Sequence, residues 1–436
     1  MSANQLAILG GTPVRSQDFQ IRKTLGEAEK KAVMDVLDRG DISLFFGSPG
    51  PFFLGGPTVK EFENTWAQKY HFKHAISVNS WTTGLMTAIG ACGIEPGDEV
   101  ICTPYSMSAT ATSILFYGGI PVFVDIEPET FNLDPAKIEA AITPRTRAIM
   151  LVHLFGHPAD MDAIMTIARK HNLKVIEDAA HAPGIKYKDK YVGAIGDIGG
   201  FSFNYHKHIH TGEGGLLVTN NDEIAQKSQL IRNHGENCIE AMGLKDISNV
   251  MGSNYRLTEI QAAVGLVQMK YLDDYISHRN RLAKYFGAKM KNFPGITPPV
   301  LKAGCEHAYY VYALKFDEKI VGVSRKQFFA AVAKELPQPK IWEQIPFVEA
   351  YIRPLYLNPI YQQQIAMGKK GFPFTMNPGV KYNYEKGICP TVERMFEKEL
   401  FHCPLIREAV TEKDLDDVYN AFEKVYNNRH LIKDIG

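Results

Sequence analysis

AISV (75–78), EVICTP (99–104), IPVFVDI (120–126), AIMLVHL (148–154) and LKVIEDAA (173–180) are five short apolar, β-branched runs. Each reads as a strand, and helices are predicted between them at 82–93, 107–117, 135–142 and 160–171. Strands this uniformly apolar have both faces covered, so the alternation implies an α/β fold around a mostly parallel sheet. Ligands of open α/β sheets collect at the carboxyl ends of the strands. The residues just after each run are therefore the ones to inspect.

After 75–78 comes Asn79-Ser80-Trp81-Thr82-Thr83, opening a helix. Hydroxyls and free N–H groups there suit an anion, although a plain Ser/Thr helix cap has the same composition. After 99–102 come Tyr105, Ser106 and Met107, and 173–178 ends in Asp178 with His181 three residues on. An acid at a buried strand end needs a cation or several donors. A pyridinium nitrogen would serve, and so would the next turn if Asp178 only caps it.

Further on lies FSFNYHKHIHTGEGG (201–215). Its lysine, Lys207, sits between a strand end and a tight glycine turn, the fixed and partly desolvated setting that Schiff-base chemistry requires. A basic surface loop with three histidines is the plain alternative. Outward from this centre, helices are predicted at 26–38 and 59–70, with a Gly/Pro/Phe-rich loop at 41–58 between them and a short extended segment at 6–15 before them. LLVTN (216–220) reads as a strand, 235–251 as a polar loop, and 222–231, 257–272 and 272–291 as helices. A smaller α+β unit follows: strand 308–316, helices 324–335 and 411–427. Residues 336–390, crowded with Pro and aromatics as in RPLYLNPIY and GFPF, show no period and either line a pocket or form an irregular excursion. The expected division is a large domain at 1–275 and a small C-terminal domain at 276–436.

The bulk numbers exclude several classes. Basic and acidic side chains balance at 48 each, which leaves no electrostatic footprint for nucleic acid or an anionic membrane. No apolar run reaches membrane-spanning length, and MSANQLAILGG (1–11) lacks a basic start followed by an apolar core. The expectation is a cytoplasmic protein. The six cysteines have no ligand spacing, so neither a disulfide framework nor a metal site is expected.

LGGTPVR (9–15), the Val78–Leu85 turn, PVFVDIEPETFNLDP (121–135), HLFGHPADMD (153–162), VIEDAAHAPG (175–184), GDIGGFSF (196–203), the Lys207 stretch and GSNYRLTEIQAA (252–263) together resemble the DegT/StrS sugar aminotransferases. These bind pyridoxal 5'-phosphate on the type I aminotransferase fold. The resemblance is dense over roughly residues 5–320 and looser beyond. It implies that Lys207 is the lysine that forms the internal aldimine and then carries protons, and that Asp178 pairs with the pyridine nitrogen. It places His181 near the cofactor ring oxygen and Ser202 and Thr82 on the phosphate. Asn254 would reach the phosphate of the neighbouring subunit, which implies a homodimer with shared active sites. Trp81 stands where the family has a glycine before Thr82 and would crowd the phosphate turn. Met107 stands where an aromatic stacks on the cofactor ring, and a thioether can pack there too.

The activity implied is transfer of an amino group from glutamate or glutamine to a keto sugar, a keto-cyclitol or an oxidised sugar acid such as an 8-oxo octulosonate, by a ping-pong mechanism. Such products feed polysaccharide or lipopolysaccharide biosynthesis. RPLYLNPIY resembles the branch acting on amino-cyclitols. Some relatives carry histidine in place of the lysine and dehydrate a deoxysugar instead. His206 and His208 flank Lys207, but the five-residue spacing to Gly212 keeps the lysine in register. A non-catalytic regulatory protein is the third reading, and it has no need of Lys207, Asp178 and Ser202 together.

Overall fold

The computed structural model describes residues 5–339, 341 and 344–433; the first four residues of MSANQLAILGG fall outside that set. Helices α1 (Glu27–Arg39) and α2 (Pro57–Tyr70) precede the sheet. α1 stops at Gly40, whose φ of 86° closes the helix in the left-handed region. α2 begins at Pro57, and the Glu259 carboxylate accepts the N–H groups of Thr58 and Val59 at 2.8 and 3.1 Å. A residue 200 positions away thus caps its first turn.

The alternation then runs as β1 (His74–Val78), α3 (Trp81–Ala91), β2 (Glu99–Cys102), α4 (Ala109–Phe116), β3 (Ile120–Phe123), α5 (Pro135–Ile138), β4 (Thr146–Val152), α6 (Met161–Lys170) and β5 (Lys174–Asp178). A small hairpin, β6 (Lys186–Tyr187) with β7 (Lys190–Tyr191), leads to β8 (Ile198–Ser202) and β9 (Gly215–Thr219). The seven-stranded sheet has the order β1-β9-β8-β5-β4-β2-β3. Only β9 runs against its neighbours. Successive residues of the central strands fall into opposite cores: Val100, Met150 and Ile176 on one face, Ile101, Ile149 and Val175 on the other. That is why these strands read as continuous apolar runs.

Helices α7 (Asp222–Arg232), α8 (Glu259–Gln268) and α9 (Leu272–Met290) lead into a second, antiparallel sheet. Its strands are β10 (Ile296–Thr297), β11 (Tyr312–Phe316), β12 (Val348–Glu349) and β13 (Leu400–Cys403), in the order β10-β11-β13-β12. Around it lie α10 (Glu318–Val321), α11 (Arg325–Glu335), α12 (Pro359–Gln362), α13 (Pro390–Arg394) and the closing α14 (Glu412–Asn427). Leu6 and Phe19 from the N-terminal segment pack into this second core. Among the described residues, no helix is long and apolar enough to cross a membrane.

Two expectations are corrected. Residues 6–15 are not simply extended, because Ala7–Leu9 forms a 3-10 turn closed by Gly10 at φ 89°. The strand expected over 308–316 begins only at Tyr312. Its first residues spend their backbone groups elsewhere: Ala308 and Tyr310 donate to the carbonyls of Gly156 and Phe155, and Arg279 donates to the carbonyl of Tyr309. Of the two readings of 336–390, pocket lining is met: Val380, Lys381 and Tyr382 line a cavity with Glu99 and Arg145. Tyr356, Tyr361 and Tyr384 pack on Phe123 of the edge strand β3, and the Tyr384 hydroxyl donates to the carbonyl of Pro121. This segment covers a sheet edge that would otherwise stand exposed.

Candidate active site

Strand register lines up the predicted residues along one end of the large sheet. Gly215 is the partner of Val78 on one side and of Ser202 on the other. Asp178 pairs with Gly200 and with Val152. Because β1, β8, β5, β4 and β2 share a direction, their carboxyl ends converge there. Gly215 must be glycine: a Cβ would lie 2.8 Å from the backbone nitrogen of Trp81. Its absence lets α3 begin directly against β9.

At the start of α3 the cap is Ser80, whose hydroxyl accepts the N–H of Thr83 at 3.2 Å. Thr82 is exposed in the first turn and is not the cap, so its hydroxyl stands beside the unpaired N–H groups of a helix start. The Trp81 side chain does not lie along this turn. Its indole fits a slot opened by two glycines, with Cβ atoms at Gly84 and Gly200 each falling 2.5 Å from the ring. From that slot Nε1 donates to Asp178 Oδ1 at 2.8 Å.

Asp178 is buried, and the Ala180 N–H also donates to Oδ1, at 3.1 Å. The second oxygen, Oδ2, has only the Thr110 hydroxyl, at 3.4 Å. Burial pushes the carboxyl above its ordinary range, against the pull of the Ala180 and Trp81 donors and of the Lys207 charge. A cation beside Oδ2 would complete the site.

Lys207 sits on a loop closed by Phe203, which exchanges hydrogen bonds with Gly214 and Thr211. His208 Nε2 contacts the carbonyl of Ala308 at 2.8 Å and ties this loop to the 308–310 segment. The amine of Lys207 lies 4.4 Å from the centre of the Tyr310 ring. His181 is stacked on Tyr310 at 4.0 Å with planes 7° apart. Desolvation lowers the Lys207 amine to about 8, with Asp178 opposing. Burial, first, and the Lys207 charge push His181 well below the ordinary histidine range, and its Nδ1 is buried without a partner among the described residues.

Ser202 is at the β8 terminus, its hydroxyl accepting the Asn204 N–H at 3.3 Å. Met107 is 60% exposed, and Asn254 is exposed, with Oδ1 accepting from Arg256 at 2.7 Å. The structure therefore gathers Trp81, Asp178, His181 and Lys207 by direct contact or charge, with Thr82 and Ser202 along the same sheet end. Thr110 was not among the predicted site residues. It carried no signal, since its neighbours read as a plain helix.

A nucleophilic lysine with a lowered pKa, a buried carboxylate lacking a cation and a helix start with free donors define an enzyme of the pyridoxal-phosphate class on the type I aminotransferase fold. Comparison with known proteins agrees. Residues 48–398 match the model of the DegT/DnrJ/EryC1/StrS aminotransferase family, and the chain belongs to that family. It is 36% identical over 409 residues to the spore coat polysaccharide biosynthesis protein SpsC of Bacillus subtilis (strain 168), covering 92% of this chain and 95% of SpsC. It is 32% identical over 438 residues to an L-glutamine:2-deoxy-scyllo-inosose aminotransferase of Micromonospora echinospora, covering 98% and 99%. An aminotransferase from Psychrobacter cryohalolentis superposes with a TM-score of 0.79 at 27% identity, over 94% of this chain and all of that one. A GDP-4-keto-6-deoxymannose-3-dehydratase solved with a trapped PLP-glutamate geminal diamine superposes at 0.73 and 25% identity, over 93% and 100%. The protein is a pyridoxal-phosphate-dependent aminotransferase of a family acting on sugars and cyclitols.

Proposed function

We propose that this enzyme moves an amino group from glutamine or glutamate to the carbonyl of a keto sugar or keto-cyclitol, in two half-reactions sharing one site. The observation that carries the reading is Lys207, with its amine lowered to about 8 and set over Tyr310 within the field of Asp178. When bound, pyridoxal phosphate supplies an electron sink at the reacting carbon. The chain supplies the rest. Oδ2 of Asp178 takes the pyridine N–H and keeps that nitrogen protonated. Thr82, the first turn of α3 and Ser202 hold the phosphate. His181, neutral and with Nδ1 unpartnered, offers a hydrogen bond to the ring oxygen. Partly neutral at a pH near 8, the Lys207 amine would take the proton from the donor's α-carbon and hand it to the cofactor's carbon, and would run the same transfer in reverse for the acceptor.

The dehydratase reading is weaker here. Lysine, not histidine, occupies the position over Tyr310, and His208 has its Nε2 committed to Ala308. The reading includes a homodimer in which Asn254 serves the partner's site. Supporting it, Phe46, Ile247 and Met251 are exposed large apolar residues. They lie on two loops joined through Asn233, which donates to the carbonyls of Phe46 and Phe53. A cyclitol is the favoured acceptor class, since the similarity to the inosose aminotransferase runs through the 336–390 segment that covers β3.

The test is incubation of the enzyme with glutamine or glutamate labelled with nitrogen-15 at the α-amine, and with a scyllo-inosose or a nucleotide-linked 4-keto sugar. Label in the acceptor, read by mass spectrometry, supports the proposal and identifies the acceptor class. Loss of acceptor oxygen without label in the product would support dehydration instead.

A further inference from the structure

A lysine that moves protons needs its amine held at one place. Among the described residues no ion pair does this for Lys207, since Asp178 acts on the amine only as a charge at a distance. A ring face is there instead. The amine lies 4.4 Å from the centre of the Tyr310 ring, within the range at which an aromatic face attracts a cation. The attraction is stronger for a desolvated cation, and burial desolvates this one.

The ring is itself fixed. Tyr310 is buried, its N–H donates to the carbonyl of Phe155 at 3.0 Å, and its carbonyl accepts from Arg279 Nη1 at 3.4 Å. Two residues earlier, the Ala308 carbonyl meets Nε2 of His208, the residue after Lys207, at 2.8 Å. The two loops are thus tied beside the contact they make. Backbone hydrogen bonds set where the ring starts, and the stack on His181 sets how it is turned.

The titratable groups around the amine are Asp178 at the end of β5, His181 in the turn after it, and His206 and His208 on its own loop. The adjoining cavity adds His210, Arg22, Arg279 of α9, and Arg407 with Glu408 after β13. All of these stay in place when only the Tyr310 ring is altered, so the contribution of the ring is separable from theirs.

We propose that Tyr310 is a positioning residue for proton transfer, its ring face holding the Lys207 amine beside the reacting centre. This rests on the aminotransferase reading of the same site. A ring face suits the task better than a carboxylate would. It attracts the ammonium without taking its proton, and it holds the neutral amine only weakly, so Lys207 is released as the proton leaves.

The experiment follows acylation of Lys207 against pH by mass spectrometry, in the full-length protein with and without pyridoxal phosphate. Wild type is compared with Tyr310→Phe, with Tyr310→Leu, and with Tyr310 replaced by a trifluorinated phenylalanine, which keeps the shape of the ring and weakens its negative face. Each protein is first checked for an unchanged melting temperature. Without cofactor, wild type and Tyr310→Phe are expected to share a midpoint. The fluorinated ring and Tyr310→Leu are expected to lower it by about half a unit or more, because the ammonium loses its support. The fluorinated variant carries the test by itself if Tyr310→Leu does not fold. Equal midpoints for Tyr310→Phe and the fluorinated ring would overturn the proposal. So would a midpoint that rises in Tyr310→Leu alone, which would show that the ring only excludes water. Bound cofactor is expected to protect Lys207 from acylation. No protection, with the effect of the ring intact, would defeat the aminotransferase reading and leave the Tyr310 contact standing.

Discussion

Trp81 and Asp178 are joined by a 2.8 Å hydrogen bond from the indole Nε1 to Oδ1. With the Ala180 N–H on the same oxygen, it fixes the carboxylate and leaves Oδ2 with only the Thr110 hydroxyl among the described residues, open to the pyridine N–H that the proposed site would present. Trp81→Phe keeps the ring in its glycine slot and deletes the donor. A hydrogen bond to a charged group contributes about 1.5–3 kcal/mol, so affinity for pyridoxal phosphate is expected to fall by about tenfold or more. Equilibrium dialysis measures this, and unchanged affinity would show that the indole only fills space.

The reactivity of Lys207 has a defined pH dependence. An ordinary lysine amine becomes neutral near 10.5, whereas burial lowers this one to about 8. Acylation of Lys207 in the cofactor-free protein, followed by mass spectrometry, is expected to rise with pH through about 8. The exposed Lys30 and Lys31 serve as comparison. A Lys207 profile matching theirs would contradict the desolvated setting.

Gly200 tests the slot from the other side. A Cβ there would lie 2.0 Å from the carbonyl oxygen of Leu216 and 2.5 Å from the Trp81 ring, and neither is a flexible chain end. Gly200→Ala is expected to destabilise by at least the ~1–3 kcal/mol of ordinary overpacking. Urea unfolding measures the loss, and cofactor affinity is expected to fall with it as Trp81 shifts.

The proposed sharing of sites between subunits predicts complementation. Lys207→Ala and Asn254→Ala homodimers are each expected to be impaired. A mixed dimer would contain one site with both residues intact, so mixing the two after mild dissociation should recover activity. No recovery, with hybrid dimers confirmed by native mass spectrometry, would place Asn254 in its own subunit's site.

Much of this was legible in the sequence, because local pattern and tertiary environment agree for the strands. Ile76, Val100, Ile149 and Val175 are buried on either face of one sheet, and their runs announce it. Asp178 and Lys207 were found because they follow such runs. The direction of Trp81 was hidden, since it depends on space left by Gly84 and Gly200, the latter 119 residues away. The start of the strand expected at 308–316 was misjudged because an apolar, aromatic run looks like a strand whether its N–H groups serve a sheet or the Phe155–Gly156 turn.

The most direct test is the visible absorption spectrum of the purified protein before and after excess glutamine or glutamate, with no acceptor present, for wild type and Lys207→Ala. The account predicts a cofactor band in wild type that bleaches with one of the donors, and a band that is altered and unresponsive in Lys207→Ala. A wild-type protein that takes up no pyridoxal phosphate, or a Lys207→Ala variant that bleaches as wild type does, would contradict it.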